Sequence, residues 1–254
     1  ELKYSVVSPI YNEGEIVKLL YKRIATVLDS LHGDYEIIFI DDGSTDSSYK
    51  MLKDIAISDK TVKVISFKKN YGQHKAVIAG FLRACGDYII TLDADLQNPP
   101  EEIPNLVKKA AEGFDIVSGQ RKVRKDKLKR RICSYLTNLM ISSITGLRMK
   151  DYSSMLKLYK RDVAKDIAYE FMRSECFINI LIVKITRKIA EIEVGHDNRY
   201  AGSSKYNLRK LIVGFLRIFC YYEIVSNILT KKSDRPLFRI GRKIQNGLEI
   251  VISS

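Results

Sequence analysis

Two carboxylates one residue apart, Asp93 and Asp95, close off the short apolar run Tyr88-Ile89-Ile90-Thr91-Leu92. At the carboxyl end of a strand, such a pair puts two hard oxygen donors in the crevice where open α/β sheets bind ligands. Mg²⁺ and Mn²⁺ take oxygen donors, commonly one or two carboxylates completed by substrate phosphates. The chemistry suggested is a divalent cation bridging the protein to a diphosphate. Asp-x-Asp alone is a weak signal, because Asp is common in turns for local reasons. Two more segments strengthen it. Ser8-Pro9-Ile10-Tyr11-Asn12-Glu13 and Ile40-Asp41-Asp42-Gly43-Ser44-Thr45-Asp46 also carry acids at the ends of apolar runs. If these runs are parallel strands, Glu13, Asp42, Asp93 and Asp95 share one rim. Glu13 and Asp42 could then accept hydrogen bonds from a base or ribose, with Tyr11 offering a ring face. Each loop alone also reads as ordinary strand-to-helix turn chemistry, with Gly43 permitting a tight turn. Three acid-bearing loops at one rim are much harder to reach by chance.

The basic residues are concentrated elsewhere. The chain has 254 residues and a net charge of +13, and residues 121–131 hold Arg121, Lys122, Arg124, Lys125, Lys127, Lys129, Arg130 and Arg131 against the single acid Asp126. Such a local excess implies a polyanionic partner: nucleic acid, anionic lipid head groups or a phosphorylated substrate. The hydrophobic fraction of 46% and charged fraction of 29% are those of a globular protein with a substantial core. Cys85, Cys133, Cys176 and Cys220, like His32, His74 and His196, are dispersed without metal-like spacing. Disulfides and zinc are therefore disfavoured against incidental thiols in a reducing compartment. No secretory signal opens the chain, and no apolar run reaches the ~18 residues that span a bilayer. The missing initiator Met is expected of a segment that begins inside a longer product.

The elements that must position these groups follow from periodicity. Residues 4–8, 36–40, 62–66, 88–92 and 115–118 are short, β-branched and bounded by turn residues, as strands are. Between them, residues 14–30, 45–58 and 73–84 carry helical periodicity, with Asp46 or Ser44 as the expected N-cap of the second. Strand and helix in alternation predict a mainly parallel sheet with helices on both faces, an α/β fold. Further on, residues 128–145, 162–168 and 176–185 read as helices, 151–159 as irregular or extended, and 188–194 as a strand. Residues 205–226, wound at about 100° per residue, gather Leu208, Leu211, Ile212, Phe215, Ile218, Phe219 and Tyr222 on one arc, opposite Arg209, Lys210 and Arg217. Only Glu223 intrudes on the apolar side. Two readings fit: a helix packed on its own domain, or an interfacial helix lying in a membrane surface. Residues 230–254 give no firm reading.

The three rim motifs resemble those of family 2 glycosyltransferases of GT-A (Rossmann-like) fold. Asp-Ala-Asp-Leu-Gln followed by Pro99-Pro100-Glu101 is similar to the branch that transfers a sugar from a nucleotide to a polyprenyl or dolichyl phosphate. His196-Asp197-Asn198-Arg199-Tyr200-Ala201-Gly202-Ser203-Ser204-Lys205-Tyr206 fits that branch's late motif. The resemblance covers roughly residues 4–228. It implies that Pro9, Tyr11, Glu13, Asp42, Asp93 and Ala94 hold the nucleotide, and that Asp93, Asp95 and Gln97 hold Mg²⁺ or Mn²⁺. It implies a catalytic set of Asp95, Arg121 and Arg131, with Arg121, Arg131, Arg199, Ser203 and Lys205 framing the acceptor phosphate. Asn70-Tyr71-Gly72-Gln73-His74-Lys75-Ala76 matches the loop before the third helix, read here as a helix start. Division follows: residues 1–204 as the catalytic domain, 205–228 as a C-terminal amphipathic membrane-interface helix, and 229–254 as a basic tail of no assigned role.

The resemblance implies a metal-dependent hexosyltransferase that inverts the sugar in a single displacement. A phosphate acceptor is already ionised near neutral pH, so charge handling rather than a strong general base is required. The expected partners are a nucleotide sugar (UDP-glucose-type, with GDP-mannose as the other donor), a polyprenyl phosphate and a membrane surface at its cytoplasmic face. Nucleic acid is not expected, and a homo-oligomer or a transmembrane partner is compatible with the pattern. Bacterial members of the branch usually continue into transmembrane helices. This chain does not, so it is expected to be peripheral or cut before them. Residues 151–157 fit the acceptor-side loop only loosely. A family 2 enzyme with a saccharide acceptor is the alternative; it needs an acidic base, and Glu175 is its candidate. A non-enzymatic binder of anionic surfaces or nucleic acid is the third reading, without the aromatic platforms such binders show.

Overall fold

The central strands form where the sequence runs apolar on both faces, as buried parallel strands do. The computed structural model describes residues 2–121, 142, 149–152, 154–174, 177–197 and 248–251. Strands β1 (Leu2–Ile10), β2 (Asp34–Asp41), β3 (Val62–Phe67) and β4 (Tyr88–Thr91) alternate with helices α1 (Val17–Asp29), α2 (Ser48–Ser58) and α3 (Gln73–Arg83). A single 3₁₀ turn (Pro100–Glu102) leads into α4 (Ile103–Ala110), followed by β5 (Ile116–Arg121). Then come β6 (Lys157–Lys160), α5 (Arg161–Ser174), α6 (Ile178–Ile185), β7 (Ile189–Val194) and β8 (Leu248–Val251). The eight strands form one sheet in the order β7-β5-β6-β4-β1-β2-β3-β8. β1 pairs in parallel with β2 and β4, β2 with β3, and β5 with β7; β6 and β8 run antiparallel to their neighbours.

Each face of the sheet buries its own core. Val7, Ile38, Ile40 and Ile89 face α3, α5 and α6, which contribute Phe81, Ile167 and Leu181. Val6, Phe39, Ile90 and Leu158 face α1, α2 and α4, which contribute Leu20, Ile24, Leu52 and Leu106. Val17, Leu20, Ile24, Val27 and Leu28 are the buried positions of α1, the three-and-four spacing that amphipathic helices bury. Helices on both faces, as expected from the alternation, are what the chain forms.

One local expectation changes, and three details are added. The N-cap of α2 is Ser47, not Asp46 or Ser44, and its side chain makes no capping bond. Asp46 does that work from one residue earlier, its Oδ1 accepting the Ser48 N–H at 2.9 Å. The α4 helix was not anticipated, because Pro104 in its first turn disguises a short helix as a loop. Residues 151–159, expected to be irregular or extended, enter strand β6 at Lys157. Finally, β8 adds an antiparallel edge strand to β3 in a tail that offered no reading. The helix expected over 128–145 (Ser142 apart), Arg131, Glu175, Arg199, Ser203, Lys205 and the arc from Leu208 to Tyr222 lie outside the described residues. Among the described residues no helix is long and apolar enough to cross a membrane.

Candidate active site

β1 lies between β2 and β4 in the sheet, so the chain reverses its direction of winding at the gap between β1 and β4. A reversal of this kind opens a crevice at the carboxyl ends of the strands, which is where ligands bind in open α/β sheets. All three acid-bearing loops of the sequence leave the sheet there. The loops of Glu13, Asp42 and the Asp93–Asp95 pair thus share that rim.

The first two loops are laced to each other. Asn12, at φ 51°, donates its N–H to Ser44 Oγ at 3.0 Å and accepts the Thr45 N–H at 2.8 Å. The N–H groups of Glu13 and Gly14 donate to Ser48 Oγ (2.8 Å) and Asp46 Oδ2 (3.1 Å). Pro9, Tyr11 and Glu13 are partly exposed along this edge. Asp42 is only 3% exposed, and its two oxygens accept the N–H groups of Tyr71 (2.7 Å) and Gly72 (2.9 Å). Burial raises its pKa, opposed by those two N–H groups. Its observed role is thus to latch the loop before α3 onto the rim. Gly43 must be glycine here: φ is +70°, and a Cβ would lie 2.3 Å from the Lys69 carbonyl carbon.

Asp93 and Asp95 sit on the far side of the crevice. Asp93 accepts Gln73 Nε2–H at 2.5 Å, so the start of α3 buttresses it. Burial and the neighbouring Asp95 push its pKa up to about 7, against the pull of Arg121, the Gln73 bond and Lys157. Asp95, 9% exposed, accepts the Gln97 N–H at 3.1 Å, and Leu96 between them takes φ 55°. Ala94 is buried and Gln97 partly exposed, its carbonyl oxygen accepting the Asp197 N–H at 2.9 Å. Among the described residues no three His, Cys, Asp or Glu side chains cluster as a closed metal site. Two crowded carboxylates instead fit a cation whose remaining ligands come from substrate. Like charges held together in a buried turn are relieved by a divalent ion.

Arg121 ends β5 on the same rim. Its Nε and Nη2 donate to Asp151 Oδ2 (2.7 Å) and Oδ1 (3.0 Å), a bidentate pair with side chains 9% and 1% exposed. Asp151 is in turn held by Glu191 of β7, whose Oε1 accepts its N–H at 3.0 Å and whose Oε2 accepts the Lys150 N–H at 2.9 Å. Sequence reasoning expected Arg121 here but missed Asp151, Glu191, Gln73 and Lys157. The one available signal was Lys157 itself, a lysine inside the apolar run Met155-Leu156-Lys157-Leu158-Tyr159.

Residues 5–168 match the sequence pattern of the family described as glycosyl transferase family 2. The chain is 47% identical over 211 residues to the undecaprenyl-phosphate 4-deoxy-4-formamido-L-arabinose transferase of Proteus mirabilis (strain HI4320), covering 83% of this chain and 64% of that protein. The identically named protein of Photorhabdus laumondii is 46% identical over 211 residues, with 65% of its length covered. The chain thus spans just under two thirds of the length of these curated relatives. Among solved structures, glucosyl-3-phosphoglycerate synthase from Mycobacterium tuberculosis with Mn²⁺, uridine diphosphate and phosphoglyceric acid is similar. Its TM-score is 0.62 at 16% identity, over 91% of this chain and 80% of that one. The same protein with Mn²⁺ and UDP-glucose gives 0.61. At such identity the likeness speaks for the fold alone, and that fold is the GT-A-like one expected.

Proposed function

The chain belongs to glycosyl transferase family 2, and from that premise we infer that it moves a sugar from a nucleotide diphosphate to a polyprenyl phosphate at the cytoplasmic face of a membrane. The observation that carries the reading is the meeting, at one topological reversal, of the Asp93–Asp95 pair with the Asp151-held guanidinium of Arg121. One side suits a cation and diphosphate, the other an anionic nucleophile. Asp93, Asp95 and the Gln97 side chain would hold Mg²⁺ or Mn²⁺; when bound, the ion supplies charge stabilisation to the departing diphosphate. The loops of Tyr11, Glu13 and Asp42 bound the nucleoside side.

The protein's own contribution is placement. A phosphate monoester oxygen is already a nucleophile near neutral pH, so no side chain need take its proton. A guanidinium such as that of Arg121 suits phosphate better than an ammonium does. Holding that oxygen in line with the anomeric carbon is the chief catalytic demand, and it leads to an inverted product. The relatives' names favour 4-deoxy-4-formamido-L-arabinose as the sugar, in place of the glucose first expected; a UDP-linked donor remains the nucleotide of choice. Residues 205–226, with Arg131, Arg199, Ser203 and Lys205, are proposed to meet the membrane and the acceptor phosphate. The test is transfer to a short-chain polyprenyl phosphate from UDP-linked 4-deoxy-4-formamido-L-arabinose, UDP-glucose and GDP-mannose in turn. The reading fails if none of the three donors gives a lipid-linked sugar with either metal.

A further inference from the structure

Lys157 is a buried ammonium for which the reaction outlined above has no use. It opens β6, in register with Thr91 of β4 and Ser118 of β5, and is only 3% exposed. Among the described residues it makes no ion pair. Its Nζ donates instead to two backbone carbonyls, those of Tyr152 (3.1 Å) and Ser154. Burying an ammonium with no direct ion pair among the described residues is expensive, and a strand position among Leu156, Leu158 and Tyr159 would be filled more favourably by an apolar side chain. Burial lowers its pKa to about 8, partly countered by Asp151, Asp93 and Glu191, with Arg121 pushing the same way as burial.

What the ammonium grips is the loop that carries Asp151. Glu191 takes the N–H groups of Lys150 and Asp151 at one end of that loop, and Lys157 takes the carbonyls of Tyr152 and Ser154 at the other. Between these holds the Asp151 carboxylate meets both donating nitrogens of Arg121. A bidentate pair transmits orientation, since both bonds form only when carboxylate and guanidinium are coplanar. We propose that Lys157 and Glu191 are positioning residues of sugar transfer: they hold the backbone on either side of Asp151, so that Asp151 aims Arg121 at the acceptor's phosphate. The inference rests on the function proposed above. It places neither residue in contact with substrate, so nucleotide affinity should depend on them far less than acceptor use does.

The test is a double-mutant cycle on the full chain, read by transfer to a short-chain polyprenyl phosphate and, separately, by Mn²⁺–UDP binding calorimetry. Lys157→Met alone is expected to lower kcat/KM for the acceptor by about 10- to 100-fold, as small misplacements of a catalytic group do. Its UDP affinity should stay within about twofold of wild type. Combined with Asp151→Asn, it should be no slower than the slower single variant by more than about twofold, because both act through one guanidinium. Multiplying losses, or wild-type acceptor kinetics in Lys157→Met, overturn the proposal. If Lys157→Met does not fold, Glu191→Gln takes its place in the same cycle under the same criteria. Wild-type protein that transfers no sugar to polyprenyl phosphate brings down the functional reading itself, and this inference with it. Active wild type with multiplying losses removes the inference alone.

Discussion

Replacing Asp42 by Asn tests whether the donor side of the crevice is built by a latch. The carboxylate accepts the Tyr71 and Gly72 N–H groups at 2.7 and 2.9 Å. An Asn side chain can offer its oxygen to one of them, and must then turn an N–H₂ toward the other. One buried donor is left facing a donor, at a cost of about 1–3 kcal/mol. Part of that is returned to overall stability, because Asn also removes a charge whose burial is unfavourable, as the raised pKa of Asp42 indicates. The loop itself gains nothing from that return. If the nucleotide binds only with residues 69–72 latched, about 2 kcal/mol must come out of its binding energy. That is about a 30-fold loss of affinity. Calorimetry of Mn²⁺–UDP measures the loss, and amide hydrogen exchange at Tyr71 and Gly72 reports the latch. Weaker binding should coincide with faster exchange at those two amides. Weaker binding with unchanged exchange would refute the latch and leave Asp42 as a direct contact to the nucleoside.

Two further perturbations separate the site from its scaffold. At the amino end of β2, Glu36 is 2% exposed and accepts Ser5 Oγ (2.6 Å), Cys85 N–H (2.7 Å) and Lys63 Nζ (2.6 Å). Glu36→Ala strands buried donors and should destabilise the fold by about 3 kcal/mol in urea unfolding, with nucleotide affinity unchanged in the folded fraction. Lys157 titrates at about 8 when folded, below the ordinary lysine value, so the folded protein binds fewer protons than the unfolded one above that pH. Wild-type stability should therefore rise, relative to Lys157→Met, as pH is raised from about 8 toward 10. A constant difference between the two proteins over that range contradicts the burial assigned to Lys157.

Much of the fold was legible because the central strands are apolar on both faces and end in loops with their own chemistry. Residues 36–40, 62–66 and 88–92 announce themselves, and Asp42, Asp93 and Asp95 fall at the rim that parallel pairing requires. What was hidden depends on contacts between distant segments. The tie between Asp42 and the amides of Tyr71 and Gly72 uses backbone groups that every residue possesses, so no residue type betrays it. Arg121 and Asp151 stand 30 positions apart, and nothing in their spacing joins them. Lys157 falls in residues 151–159, which read only as irregular or extended. It is in fact turned inward, because β6 is inserted between β4 and β5 and both its faces are covered. The α2 cap was misplaced by one residue for a smaller reason: Asp46 reaches forward to Ser48 and sideways to Gly14 at once.

We expect the Asp93–Asp95 turn to hold the divalent ion that receives the nucleotide's diphosphate. Asp95→Ala decides this in a titration of UDP followed calorimetrically with and without Mn²⁺. Wild type should bind UDP much more tightly with the ion than without it. Asp95→Ala should bind at the metal-free level in both conditions and should transfer no sugar. Asp93→Ala should behave alike, and Gln97→Ala, which removes only a neutral oxygen, should keep most of the metal effect. An Asp95→Ala protein that is folded, still binds UDP more tightly with Mn²⁺ and still turns over would remove the metal from this turn.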